Sequence, residues 1–305
     1  MSDVTKPMLM NIGKRVVAPT GLKVRGLLGS IPPTGLVMLS VSSTQIGAAL
    51  AKGLFTALGS TGTVSLRVGF AALILFLIWR PRVRGYTRTA YMNCILFGLA
   101  LATMNLCFYA ALARIPLGIA VTLEFVGPLG VAIMGSRRLL DVLWVILAAS
   151  GILCLAPWTG ATFDGLGMVL ALMAGVCWGA YIILSSRVGR SIPGISGLAL
   201  AMGVAALVLI PIGITSAGAK LVEPKFLLIG VGISLLSSVI PYSLEIEALR
   251  RLPTHVFGLL MSTEPAVAAL VGFIVLGEAV ELRSVIAIVL ITVATIGTIK
   301  GSRTT

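Results

Sequence analysis

The stretch that decides the fold runs from Ala111 to Gly135 and reads ALARIPLGIAVTLEFVGPLGVAIMG. It is apolar enough to cross a lipid bilayer, yet Glu124 and Pro128 lie about one helical turn apart within it. A carboxylate is costly in lipid. A proline has no N–H for the carbonyl four residues earlier, which here is the carbonyl of Glu124. An acid and a free backbone acceptor in one turn therefore predict an interrupted helix that lines a functional site.

A second stretch repeats this pattern and aligns with the first without a gap. It runs from Ala248 to Gly272 and reads ALRRLPTHVFGLLMSTEPAVAALVG. Glu264 and Pro265 supply the acid and the proline, and Pro265 frees the carbonyl of Met261. The identical positions in the first stretch include Ala111, Leu112, Arg114, Pro116, Pro128, Ala132 and Gly135. We interpret the match as an internal repeat.

The whole chain has the composition of these two stretches. Its 305 residues are 58% hydrophobic and only 11% charged, with a mean hydropathy of +1.08. No soluble domain of this length can bury so much apolar side chain, so the composition predicts an all-α membrane protein. About ten apolar runs have the length that a bilayer requires. We place these ten predicted transmembrane helices at 34–55, 62–79, 90–113, 117–136, 140–158, 166–187, 195–215, 226–247, 254–276 and 283–300.

The repeat divides the predicted spans into two five-helix halves, 34–158 and 166–300, after a basic tail, 1–33. Because five is odd, the second half enters the membrane in the opposite orientation. Most Lys and Arg residues lie in the tail and in alternate connections, which places the tail and both termini in the cytoplasm. Inverted repeats are typical of alternating-access transporters, whose substrate site lies where the halves meet.

Charge, cysteine and histidine usage exclude several classes of function. A net charge of +13 would suggest nucleic acid in a soluble protein, but these basic residues lie in connections between apolar runs, so we expect no nucleic-acid partner. Cys94, Cys107, Cys154 and Cys177 are widely spaced in apolar runs and form no disulfide framework. With His255 the only histidine, we expect no metal site and no cofactor. We also expect no cleaved signal peptide.

Three polar side chains have a similar predicted depth on three spans. Arg67, Asn105 and Glu124 each lie roughly 9–12 Å from the outer end of their span, and Glu264 lies near the midplane. A shared depth suggests one shared site. Structural alternatives remain open: Arg67 and Glu124 as a buried ion pair that holds helices together, Asn105 as an interhelical hydrogen-bonding group, and Glu264 as a structural acid.

Aromatic residues and prolines complete the set of candidates. Trp178 and Tyr242 are candidates for the same pathway, with Trp178 facing a cavity, although most aromatic residues of these spans are packing residues. Pro128 and Pro265 predict helix kinks, and so does Pro241 in the segment SVIPYSLE.

The segments LEFVGPLGVA, MSTEPAVAAL and SVIPYSLEIEALRRLPTHVFGLLMS resemble the EamA-type branch of the drug/metabolite transporter superfamily, most nearly its threonine/homoserine exporters of bacterial inner membranes. The resemblance covers about Thr34 to Ile299. It implies ten helices in an inverted repeat and proton-driven export of small amino acids. It also carries over Glu124, Pro128, Glu264 and Pro265 as motif positions. A fold does not fix a ligand, so the resemblance leaves the substrate open.

Together these features predict an exporter of small zwitterionic amino acids that works by proton antiport. Arg67 binds the substrate carboxylate in this hypothesis. Glu124 faces the ammonium group or carries the exchanged proton, and Glu264 is the alternative proton carrier. The expected partners are a small-molecule substrate, protons and the lipid bilayer.

Other classes of function remain as alternatives. An exporter of drugs or other metabolites would share the fold, but a hydrophobic-cation exporter is disfavoured by Arg67. An importer, an exchanger of nucleotide sugars and a passive channel also remain, as does a membrane scaffold without transport. We expect no enzyme, since no nucleophile, base or metal-ligand pattern occurs.

Overall fold

The computed structural model describes residues 31–134, 164–192, 196–249 and 263–301, with shorter segments between 143 and 154 and between 251 and 261. All regular structure in these residues is helical, which confirms the all-α prediction for this part of the chain. The helices are α1 (Pro33–Lys52), α2 (Phe55–Trp79), α3 (Arg88–Leu112), α4 (Leu117–Glu124), α5 (Val126–Met134), α6 (Gly165–Ser191), α7 (Ser196–Ala217), α8 (Pro224–Ser234), α9 (Ile240–Leu249), α10 (Glu264–Leu276) and α11 (Leu282–Gly301). A π-helical turn, Leu235–Val239, joins α8 to α9.

The helices are apolar outside and partly polar inside. Within the described ranges, six helical stretches are long and apolar enough to cross a bilayer: Pro33–Lys52, Phe55–Trp79, Arg88–Leu112, Gly165–Ser191, Ser196–Val222 and Pro224–Glu245. Leu207 and Leu228 are 76% and 75% exposed, whereas Gln45, Arg67 and Glu264 are buried. This distribution is the one expected where lipid is the solvent. The chain is a multi-pass membrane protein.

Most helix ends lie within a few residues of the predicted spans. One exception is the second span, predicted at 62–79, because α2 already begins at Phe55. The polar residues around Gly59 are typical of a loop, which is why the prediction began the span later. Gly59 does interrupt the helix, with a φ of 69° that glycine adopts without strain. Another exception is the ninth span, predicted at 254–276: α10 begins at Glu264, and positions 253–259 and 262 lie outside the described residues. The predicted fifth span, 140–158, lies largely outside the described residues, and tail residues 1–30 lie wholly outside them.

The predicted fourth span is two helices, because a turn at Phe125 separates α4 from α5. Close packing against α6 surrounds this turn. A Cβ added to Gly175 would lie 2.6 Å from the carbonyl oxygen of Glu124, and a Cβ added to Gly127 would overlap the carbonyl of Gly175. Small residues allow such close approach of helix backbones in membranes. The turn is therefore held by backbone-to-backbone contact with α6.

Helices from before residue 135 pack mainly on helices from after residue 164. Examples of such pairs are α1 with α9, α2 with α7, α3 with α6 and with α7, α4 with α10, and α5 with α6. At one end of the bundle, the end of α1, the start of α4 and the end of α10 meet through Lys52, Ile115 and Glu278. We refer to this end as the lysine face. At the other end, Arg251 Nη1 donates to the carbonyl of Ile31, which brings the end of α9 to the start of α1.

Candidate functional site

Arg67 is a buried cation of the bundle interior, on α2 and only 8% exposed. Its Nη1 donates to the carbonyl of Ser237 at 3.2 Å, and its guanidinium carbon lies 4.9 Å from the centroid of the Tyr109 ring. The Ser237 carbonyl is free to accept because the residue four positions later is Pro241, which has no N–H. Pro241 thus creates the backbone acceptor that orients Arg67. Its position follows the π-helical turn, as the second residue of α9.

The same π-helical turn is held from two sides. The hydroxyl of Ser234 donates to the carbonyl of Arg67 at 2.8 Å, which links α8 to α2. From α1, Gly47 approaches so closely that an added Cβ would lie 2.7 Å from the Cβ of Ser237. The segment around Ser237 is therefore packed between α1 and α2.

Glu264 is the first residue of α10 and is paired with Gln45 on α1. Gln45 Nε2 donates to Glu264 Oε1 at 2.9 Å, and the two residues are 2% and 7% exposed. Gln45 Oε1 and Glu264 Oε2 are also buried, and within the described ranges neither has a hydrogen-bond partner. The pair therefore leaves two acceptors unsatisfied in the interior.

Glu124 ends α4 and is 8% exposed. In the part of the chain that the structure describes, its carboxylate has no hydrogen-bond partner, but the charges of Glu264 and Arg67 both act on it. The backbone carbonyl of Glu124, which Pro128 leaves without its helical donor, lies against Gly175. Both the carboxylate and the free carbonyl of this turn are thus directed into the bundle.

Tyr242 lies near the charged groups of the bundle interior. It lies within electrostatic range of Arg67, Glu124, Glu264 and Glu245. We use the term acid cluster for Arg67, Glu124, Glu264 and Tyr242. These four predicted site residues come from α2, α4, α9 and α10, so the acid cluster joins both parts of the chain.

Glu245 lies beside the acid cluster and has a partner that the sequence did not suggest. From their order in the chain, Glu245 and Glu247 could both pair with Arg250 or Arg251. The structure pairs Glu247 with Arg251, whereas Glu245 accepts a hydrogen bond of 2.7 Å from the hydroxyl of Ser40 on α1. Position 250 lies outside the described residues.

Asn105 is buried and Trp178 is half-buried, and the structure shows no hydrogen bond from either to the acid cluster among the described residues. Asn105 Nδ2 donates to the carbonyl of Leu101 in its own helix at 2.8 Å. The Trp178 ring packs edge-on against Phe125, with ring centroids 5.2 Å apart. Trp178 therefore packs on the turn that ends α4, and the side-chain amide of Asn105 is hydrogen-bonded within its own helix.

The remaining predicted kinks, Pro128 and Pro265, lie within first turns. Pro128 is the third residue of α5, so the chain turns at Phe125, three residues before the proline. Pro265 is the second residue of α10, where a missing N–H costs nothing because first-turn donors have no intrahelical partner. Position 262, just before this helix, lies outside the described residues.

The lysine face carries an ion pair that crosses between helices. Lys52 Nζ lies 2.6 Å from Glu278 Oε1 and also donates to the carbonyl of Ile115 at 3.2 Å. The second oxygen of Glu278 accepts from the N–H of Leu117, the first residue of α4, at 2.8 Å. This network ties α1 and α4 to the segment after α10.

A second ion pair at this end is more exposed. Arg114 lies 2.5 Å from Asp164, the residue that caps the start of α6. The hydrogen bond from Arg114 holds the pKa of Asp164 below its ordinary value. Since a carboxylate with a lowered pKa loses its stabilising contribution only as pH falls through that value, the pair is formed at neutral pH.

The acid cluster contains groups that can recognise either sign of charge. One guanidinium donates to anions, and two carboxylates accept from cations or bind protons. Among the described residues, no group of three or more His, Cys, Asp or Glu could hold a metal ion.

Gln45, Ser237 and Ser40 were missed by sequence reasoning. A lone glutamine in an apolar run was an available signal for Gln45, but no signal separates Ser237 or Ser40 from the many structural serines.

A bundle of apolar helices with buried charges from several helices defines a polytopic membrane protein with a polar region inside the bilayer, the class that includes solute carriers. Residues 165–300 match the EamA-like transporter family. The threonine/homoserine exporters RhtA of Salmonella typhimurium (strain LT2) and Escherichia coli (strain K12) are each 40% identical to this chain over 267 residues, which is 87% of this chain and 90% of each relative. The chain belongs to the EamA-like transporter family, which confirms the resemblance found in its motifs.

A solved structure agrees at the level of the fold. One crystal structure of another protein superposes with a TM-score of 0.56, covering 87% of this chain and 98% of that chain at 16% identity. At this identity the superposition supports the helical fold alone.

Proposed function

We propose that the protein is an inner-membrane secondary transporter that exports small amino acids, such as threonine or homoserine, in exchange for protons. The observation that carries this proposal is the acid cluster: a buried arginine and two buried acids come together from helices of both parts of the chain. The names of the relatives supply the substrate class. A zwitterion offers one anionic and one cationic group, which complement the two kinds of charge in the cluster.

The packing supports an inverted repeat of two five-helix halves. If the two halves are related by an inverted repeat, the first predicted span (α1) corresponds to the sixth (α6), and the third (α3) corresponds to the eighth (α8 and α9). A contact between α3 and α6 then predicts an equivalent contact between α1 and the α8–α9 pair. Both contacts occur. The contacts of α1 with α10 and of α6 with α4 and α5 are related in the same way. Such pairing is expected of a carrier with its site between two related halves.

Each charged group has a role in this mechanism. Arg67 binds the substrate carboxylate, with its orientation fixed by Ser237 and Tyr109. Glu124 faces the ammonium group or carries the exchanged proton, and Glu264 is the alternative carrier. Since a proton and an ammonium group compete for a carboxylate, exchange follows without a separate coupling site. Both termini lie in the cytoplasm by the distribution of Lys and Arg, so the lysine face is the outer face.

Substrate efflux from proteoliposomes tests the proposal. Vesicles loaded with labelled threonine should release it faster when the exterior is made acidic, and a protonophore should remove the acceleration. Glu124→Gln should abolish the dependence on the pH gradient, because the glutamine cannot bind and release a proton. Glu223→Gln, at an exposed position before α8, is the matched control. Gradient-driven efflux of wild-type size in Glu124→Gln would show that Glu124 does not couple the two fluxes.

A further inference from the structure

We infer that Gln45 and Glu264 together bind the ammonium group of the substrate, which makes Gln45 a specificity-determining residue. The inference rests on the proposed function and deepens it, because the hypothesis above leaves the position of the amino group open between two acids. It assigns a role to a glutamine of α1 that lies outside the charged motifs.

The geometry of the pair leaves two buried oxygen acceptors available to a ligand. One amide hydrogen of Gln45 is directed at Glu264 Oε1, 2.9 Å away. The oxygen of Gln45 and the second oxygen of Glu264 are buried, and neither has a partner among the described residues. Buried polar atoms without partners are rare in native proteins and are costly to leave unpaired. Two such acceptors on adjoining side chains indicate that a ligand supplies the missing donors.

The charge of the pair defines the chemistry of that ligand. A carboxylate beside an amide oxygen attracts a cation with several N–H donors, and a primary ammonium group has three. An anion would be repelled, and a neutral hydroxyl supplies only one donor. The amino group of an amino acid therefore matches both free oxygens at once.

Arg67 supplies a positive charge for the carboxylate of the same zwitterion. Arg67 Nε is buried and has no partner in the described part of the chain. The charges of Arg67 and Glu264 both act on Glu124 and on Tyr242. The anion-binding and cation-binding groups therefore lie in the same polar region of the bundle. With the ammonium group at Gln45 and Glu264, Glu124 remains available for the proton.

The test compares threonine with 2,3-dihydroxybutyrate, its analogue with a hydroxyl in place of the ammonium group. Both are measured as inhibitors of labelled homoserine counterflow in proteoliposomes, which needs no pH gradient. In the wild type the analogue should have a much higher inhibition constant than threonine. Gln45→Met keeps the shape of the side chain but removes the acceptor. It should raise the inhibition constant of threonine about tenfold or more, the factor of one charged hydrogen bond, and leave that of the analogue unchanged.

Two further variants control this result. Ser43→Ala, on the same helix, removes only a bond to the carbonyl of Leu236 and should keep the wild-type ratio of the two constants. Gln45→Glu keeps an acceptor and should retain or increase the preference for threonine. If Gln45→Met gives no counterflow, stabilisation of the purified variant against heat by threonine and by the analogue supplies the same ratio.

The outcomes separate this inference from the proposed function. A wild type that exchanges neither threonine nor homoserine overturns the proposed function, and the inference with it. A wild type that does exchange them, with the same ratio in Gln45→Met, overturns the inference alone. So does a ratio that Gln45→Glu lowers as much as Gln45→Met does.

Discussion

Arg67 is held so that its charge is available inside the bundle. Its Nη1 is bonded to the Ser237 carbonyl, its plane lies near the Tyr109 ring, and its own carbonyl accepts from Ser234. A guanidinium presents several donors in a fixed plane, so one can be used for orientation while others bind a ligand. A lysine ammonium group has only three donors on a flexible stem and holds none of them in a fixed plane, so it cannot reproduce this arrangement.

Replacement of Arg67 by lysine should therefore weaken substrate binding although it conserves the charge. We expect the KM for threonine in counterflow to rise about tenfold or more in Arg67→Lys, the loss of a charged hydrogen bond. Arg82→Lys, at an exposed connection between α2 and α3, is the matched control and should leave the KM unchanged. Equal KM values for Arg67→Lys and the wild type would mean that Arg67 binds no carboxylate.

The sequence of an apolar chain shows where its charged residues are, but it does not show which residues they contact in the folded protein. Arg67, Glu124 and Glu264 are visible because each interrupts a run of apolar residues. Gln45 is the partner of Glu264 only because α1 packs on α10, a contact between residues more than 200 positions apart. Likewise, the chain order suggests an arginine for Glu245, but the tertiary structure supplies Ser40. Depth along a helix is a local property, whereas rotation about its axis is set by packing.

The break between α4 and α5 shows how a proline motif acts at the scale of one element. Pro128 removes the donor for the Glu124 carbonyl, and the helix turns at Phe125, where that hydrogen bond is missing. The sequence indicated the interruption, but it did not indicate that α6 packs backbone against backbone at this point. The glycine pattern of α6 becomes informative only when its partner is known.

Substitution of Gly175 by alanine tests this crossing. The added methyl would lie 2.6 Å from the Glu124 carbonyl oxygen, and backbone cannot move aside as a side chain can. We expect a cost of about 1–3 kcal/mol from overpacking, seen as a lower midpoint of thermal unfolding in detergent. Gly189→Ala, on the same helix with nothing within 4 Å of the added atom, should be neutral or slightly stabilising. Equal midpoints for the two variants would contradict the close crossing.

The packing of the whole molecule joins the parts of the chain before residue 135 and after residue 164 at both ends. The lysine face is joined by Lys52, Glu278 and the Leu117 N–H, and the other end by Arg251 and the Ile31 carbonyl. A carrier that alternates must open one end while the other stays closed. In the proposed carrier we expect the half-buried pair of Lys52 and Glu278 to stabilise the closed face more than the exposed pair of Arg114 and Asp164 does, since exposed ion pairs contribute little.

Weakening the lysine face should therefore favour the state that is open at that face. Ser284 is buried and lines a small cavity there, together with Glu278 and Gly118. In a variant with the native cysteines replaced by serine, Ser284→Cys should react with a membrane-impermeant thiol reagent faster when Glu278→Gln is added. The reason is that the glutamine leaves Lys52 without its counter-charge. Arg114→Gln is the control for loss of an ion pair and should increase the rate less.

Exchange of the two charges separates the effect of the ion pair from the effect of the hydrogen bond to Leu117. The double variant Lys52→Glu, Glu278→Lys restores an ion pair, but a lysine cannot accept the hydrogen bond that Glu278 receives from the Leu117 N–H. The labelling rate of Ser284→Cys should therefore fall only partway from its value in Glu278→Gln toward that of the unaltered face. Complete restoration would assign closure to charge alone, and no restoration would mean that the ion pair closes the face only together with the bond to the Leu117 N–H. A rate that Glu278→Gln does not change would mean that this network does not hold the lysine face closed.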